Sequence, residues 1–81
     1  MRGTRDEEAL RRAMERHSKA VYAVAYVRTG SRPDAEDIVQ EVFLQYSAKM
    51  GTFESDEHER RWLIRTAVSR SIDVLRSAWR R

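Results

Sequence analysis

The sequence predicts an all-α protein, a small antiparallel domain of three helices. Two observations carry that expectation. Apolar residues recur every three or four positions in three separate stretches, which is the period of one face of an α-helix. Glycine and proline are scarce, three and one in 81 residues, and they punctuate the stretches rather than interrupt them. No segment requires a β-strand, and there is no repeat or low-complexity tract.

The first helix is expected to start near Arg5. Thr4 followed by Glu7 has the spacing of a capping box, in which a hydroxyl and a carboxylate satisfy free amides of the first turn. Leu10, Met14, Val21, Val24 and Ala25 follow at helical spacing, and Gly30 closes the helix as glycine commonly does. Ser31, Pro33 and Asp34 then open the second helix: a serine cap, a proline in the first turn, and an acid near the positive end of the dipole. It should run to about Met50. Residues 51–55 form a loop. Ser55, followed by Asp56 and Glu57, caps a third helix that should reach about Trp79.

Size and composition narrow the function. At 81 residues the chain is one domain at most, with a small core. It has no cysteine, so no disulfide or thiolate metal site is expected, and a reducing cytoplasm is the natural setting. His17 and His58 do not have metal-ligand spacing. No apolar run approaches the roughly 18 residues of a membrane-spanning helix, and no apolar signal core follows the N-terminus. No nucleophile with a base and no glycine-rich phosphate loop is present, so neither catalysis nor a cofactor is expected. Charge is segregated: residues 1–33 carry +4, residues 34–59 carry −7 and residues 60–81 carry +6. That distribution suggests two partners of opposite sign.

The acidic stretch has a distinct outer face. With about 100° per residue, Ala35, Val39, Val42, Phe43, Tyr46 and Met50 share a core arc. Asp37, Gln40, Glu41 and Leu44 cluster on the opposite side. Leu44 is a large apolar side chain centred on a polar face. One reading is a lone exposed leucine, which is common. The other is an apolar anchor ringed by acidic and hydrogen-bonding groups, the anatomy of a protein-binding hot spot with a basic partner.

The third helix is basic on its outer face. Leu63, Ile64, Ala67, Val74, Leu75 and Ala78 define the core arc. His58, Trp62, Arg65, Ser69, Arg76 and Arg80 fall on the other side. Arginines neutralise phosphate or fork onto a base edge, an indole offers a stacking plane, and a hydroxyl hydrogen-bonds, so this stripe suits nucleic acid. The competing reading is a solvated face on which Trp62 packs against arginine stems. Asp73 lies close by and is placed to pair with Arg70 or Arg76.

Residues Asp34 to Leu44, DAEDIVQEVFL, resemble the signature of the second conserved region of extracytoplasmic-function sigma factors. The stretch from Phe53 to Arg65, FESDEHERRWLIR, continues the resemblance without a gap, and residues 71–81 are similar to its closing helix. The match covers nearly the whole chain from about Leu10. The family implies that the acidic helix docks on the clamp helices of the largest RNA polymerase subunit, so Asp37, Gln40, Glu41 and Leu44 inherit that role. It implies that the loop from Phe53 to His58 and the start of the third helix capture a base flipped from the minus-ten promoter element, on the non-template single strand. Phe53 would wall the pocket, while Arg61, Trp62 and Arg65 hold the flanking strand. Many relatives have asparagine at the position of Ser69, and serine is the shorter and less selective group.

The family normally carries a second helical domain that reads the upstream promoter element, and it is absent from this chain. The chain is then either one domain of a longer protein or a split subunit that borrows a separate region-4-like partner. An anti-sigma factor is a further candidate partner, and no membrane is expected. The function implied is transcription initiation, with a sigma-like interaction module that does not read DNA as the rival. A remnant of that kind would have no need of the Arg/Trp face.

Overall fold

A computed structural model describes residues 3–79, and their side chains from residue 6 onward. It contains three helices, α1 (Gly3–Thr29), α2 (Arg32–Lys49) and α3 (Asp56–Trp79), each packed against the other two. The path runs up, down and up. Arg16 and His17 of α1 meet the start of α3, while Ala23 and Arg28 share a groove with Ile64 and Val68 further along it. α2 runs the other way, since its late residue Tyr46 meets Glu59 and its earlier Glu41 meets Arg70.

The breaks fall where turn chemistry put them. Gly30 has φ 66°, a left-handed conformation, and its amide donates to the Tyr26 carbonyl at 2.8 Å. Ser31 is extended and its hydroxyl accepts from the Asp34 amide at 3.3 Å, capping α2. The hydroxyl of Ser55 accepts from the His58 amide at 3.1 Å and does the same for α3. α1 begins two residues before the expected Arg5, and the side chain of Thr4, with its expected capping box, lies outside the described residues.

The core contains Val21 and Ala25 from α1, Val42, Phe43 and Tyr46 from α2, and Leu63 and Ala67 from α3, all buried. Val39, Ile64 and Val74 are half-buried against it. Ala78, expected in the core, is exposed, as is every described residue from Arg76 to Trp79; Leu75 is half-buried. Among the described residues, no neighbouring helix covers the last turn of α3. Four further residues are buried without having been expected: Ala13, His17, Ile38 and Ser71. Ser71 is tolerated there because its hydroxyl donates to the Ala67 carbonyl at 2.8 Å.

Candidate functional site

The cap at Ser31 and the proline turn after it fix the register of α2. That register turns Val42, Phe43 and Tyr46 inward and leaves Asp37, Gln40 and Leu44 exposed. Leu44 is 71% exposed, among the most open of the large apolar side chains. Asp37, Gln40, Glu41 and Leu44 line a single groove of about 580 Å³, whose far wall is Arg70 and Val74 of α3. Arg70 was expected from the sequence only as a partner for Asp73, not as a wall of this groove. Its guanidinium lies 3.7 Å from the Glu41 carboxylate and 3.4 Å from that of Asp73. Asp73 thus pairs with Arg70, one of the two partners considered for it. Arg70 also carries a buried Nε without a partner among the described residues. The available signal was an arginine on the inner arc of α3, three positions before an aspartate.

The predicted basic face of α3 separates into two groups. Arg61, Arg65, Ser69 and Arg76 are exposed. Arg61 and Arg65 border a groove of about 450 Å³ with Arg60 and Ile64. His58 and Trp62 are half-buried and belong instead to an aromatic cluster centred on Phe53. The Phe53 ring stacks on Tyr46 at 5.7 Å, meets His58 edge-on at 5.3 Å and meets Trp62 at 5.6 Å. His58 is held further by its Nδ1, which accepts from the Glu54 amide at 3.1 Å. Arg80 lies outside the described residues.

Behind this cluster, a polar junction ties the three helices together. Tyr46 of α2 donates its phenol proton to Glu59 of α3, whose other carboxylate oxygen lies 3.3 Å from Nε2 of the buried His17 of α1. Burial first, then the hydrogen bond to Glu59 and its negative charge, raises the Tyr46 phenol well above its ordinary range. The phenol therefore stays protonated and remains a donor. Arg16 reaches Asp56 at 2.8 Å on the exposed side of the same junction. The junction fixes where α3 begins, and so where the loop holding Phe53 sits. Sequence reasoning noted His17 only as a non-ligand, yet it falls between Ala13 and Val21 on the inward stripe of α1.

Among the described residues no group of three or more His, Cys, Asp or Glu is placed to hold a metal, and no helix is long and apolar enough to cross a membrane. No solved structure matches the chain. Over 71 residues, 88% of its length, the chain is 28% identical to the ECF RNA polymerase sigma factor SigW of Bacillus subtilis strain 168, and it spans 38% of that protein. Residues 13–81, which take in most of α1 and all of α2 and α3, match the family described as Sigma-70 region 2. The chain belongs to the sigma-70 region 2 family.

Proposed function

We propose that this chain is the part of an extracytoplasmic-function sigma factor that docks on RNA polymerase through α2 and engages the opened minus-ten promoter strand through α3. The similarity to an ECF sigma factor supports the subgroup. The observation that carries the docking half is Leu44, 71% exposed at the edge of a groove shared with Asp37, Gln40 and Glu41. An apolar side chain with acidic neighbours suits a basic helical partner, and the clamp helices of the largest subunit are the partner that the family resemblance supplies. Arg70 tempers the charge of Glu41, so Asp37 is the freer carboxylate for a basic partner.

The DNA half rests on Arg61, Arg65, Ser69 and Arg76, exposed along one helix. They are suited to phosphates and one base edge. Phe53, His58 and Trp62 shape the adjoining loop, and a flipped base, which costs a few kcal/mol to unstack, would pack against that aromatic edge. One observation favours the rival interaction module: Trp62 is half-buried against Phe53, so packing alone accounts for it.

The test measures binding of Leu44→Ala and Glu41→Arg to core polymerase by calorimetry. Both variants should stay helical, and Leu44→Ala should weaken binding by about 1–2 kcal/mol. Unchanged affinity in both removes the docking assignment. Single-strand capture by polymerase carrying the chain, compared for wild type and Arg65→Ala, separates the DNA-reading function from the rival.

A further inference from the structure

The turn into α3 holds one imidazole in a single chemical form. The main-chain amide of Glu54 donates to Nδ1 of His58 at 3.1 Å, so that nitrogen carries no proton. In the neutral ring the proton then sits on Nε2, which makes Nε2 a donor. Nε2 has no hydrogen-bond partner among the described residues, and it is not buried. The ring also serves the start of the helix. The His58 amide donates to the Ser55 hydroxyl while the ring accepts from the residue before the cap, a reciprocal arrangement akin to a capping box. Capping uses Nδ1 alone and leaves the Nε2 proton for a ligand.

The surroundings of that donor decide what it serves. The His58 ring meets Phe53 edge-on at 5.3 Å, at the aromatic edge proposed above for a flipped base. Phe53 offers a base packing surface and no hydrogen bond. Ser69 lies about 17 Å further along the helix axis, too far to read the same base. Carboxylates crowd the imidazole: Glu54, Asp56, Glu57 and Glu59 all lie within four residues of it. Arg16 engages Asp56, and Tyr46 and His17 engage Glu59, but no ion pair involves Glu54 or Glu57 among the described residues. A phosphate brought to His58 meets that negative charge, whereas an uncharged base edge does not. Arg61 and Arg65, about 5 and 11 Å further along the axis, suit the phosphates instead. A strand held there can turn one base back towards the loop.

We infer that His58 is a specificity-determining residue: its Nε2–H donates to an acceptor on the edge of the captured base, a ring nitrogen or a carbonyl oxygen. The Glu54 amide fixes the tautomer that makes it a donor, and a base presenting an amino group at that edge is disfavoured, donor against donor. The inference rests on base capture at this loop and adds a reader of base identity to the arginines that hold the strand. Asparagine and glutamine separate the two ring nitrogens. Asparagine places an oxygen near Nδ1 and no donor at Nε2, whereas glutamine places its amide donor near Nε2.

The experiment measures capture of minus-ten single strands by polymerase carrying the chain, with an abasic site walked through the element one position at a time. At one position the abasic strand should bind less tightly than the intact strand, and the ratio of the two affinities there measures the base contact. His58→Asn should cut that ratio about three- to tenfold, while His58→Gln, which keeps a donor, should cut it less than about twofold. Each ratio compares two strands on the same variant, so a general loss of stability cancels. Ring-nitrogen NMR of the 81-residue chain in mildly alkaline buffer reads the tautomer without DNA, and the His58 proton should be on Nε2. A ratio unchanged in His58→Asn, an equal loss in both variants, or a proton on Nδ1 overturns the inference and leaves base capture standing. If no abasic position weakens wild-type capture, base capture itself is overturned, and this inference with it.

Discussion

Tyr46→Phe isolates the polar junction from the packing around it. The ring stays in place, so its stack on Phe53 and its edge contact with Phe43 survive. What is lost is one hydroxyl donor to Glu59, a carboxylate that then has His17 as its remaining close partner at the junction. A hydrogen bond to a charged group contributes about 1.5–3 kcal/mol. In a domain whose total stability is of order 5–10 kcal/mol that is a large share. For a chain of this size each kcal/mol moves Tm by about 4–8 °C, so a drop of about 6–24 °C is expected. The pH dependence gives an independent reading. The phenol is raised in the folded state, so it ionises first in the unfolded chain. Its contribution is fully present below the unfolded value of about 10 and is lost as pH climbs towards the folded value. Wild-type stability should therefore fall above about pH 10 more steeply than that of Tyr46→Phe. Urea unfolding followed by circular dichroism at pH 7 to 11 measures both. A loss under about 0.5 kcal/mol at pH 7, with parallel alkaline profiles, would refute the role given to this hydroxyl.

Three further outcomes are expected. Phe43→Ala should cost about 3–5 kcal/mol and leave the domain barely folded at room temperature, because Phe43 is 3% exposed in the core. A melting temperature within a few degrees of wild type would mean that α2 is packed in a different register. Arg65→Ala and Arg76→Ala should each lower single-stranded DNA affinity and flatten its salt dependence, read from titrations between 50 and 200 mM salt, by about one counterion each. Trp62→Ala should lower the thermal midpoint as well as DNA affinity, with the salt slope unchanged, because the indole packs on Phe53 and carries no charge.

Much of the fold was legible because helix boundaries are local chemistry. Gly30, Ser31, Pro33 and Ser55 mark the ends of elements by their own backbone and hydroxyl properties, whatever the tertiary context. The inner faces were harder. A helical wheel finds one direction of burial, but in a three-helix bundle each helix faces two neighbours. Ile38 lies off the arc centred on Val42 and Tyr46, yet it is buried, because it lies beside Val74 where α2 meets α3. Ala78 shows the opposite failure. It has the right phase but lies beyond the last covered turn, and periodicity carries no information on where the neighbouring helices stop.

The candidate sites divide in the same way. The grouping of Asp37, Gln40, Glu41 and Leu44 depends only on positions along one helix, so spacing alone could bring it out. Arg70, which draws Glu41 across the groove, depends on how α3 packs against α2. Trp62 was grouped with the arginines by angle. Its contact with Phe53 depends on the loop after α2 folding back over Tyr46, which no single-helix pattern encodes.

If α2 docks as proposed, its outer face is the surface that meets RNA polymerase. A photoreactive phenylalanine analogue placed at position 44, and in a separate sample at position 27, tests it by crosslinking to purified core enzyme. A crosslink from position 44 to the clamp helices of the largest subunit, weakened by Glu41→Arg in the same chain, is expected, and none from position 27. A crosslink from position 44 to a different subunit, or crosslinks from position 27 with none from position 44, would contradict it.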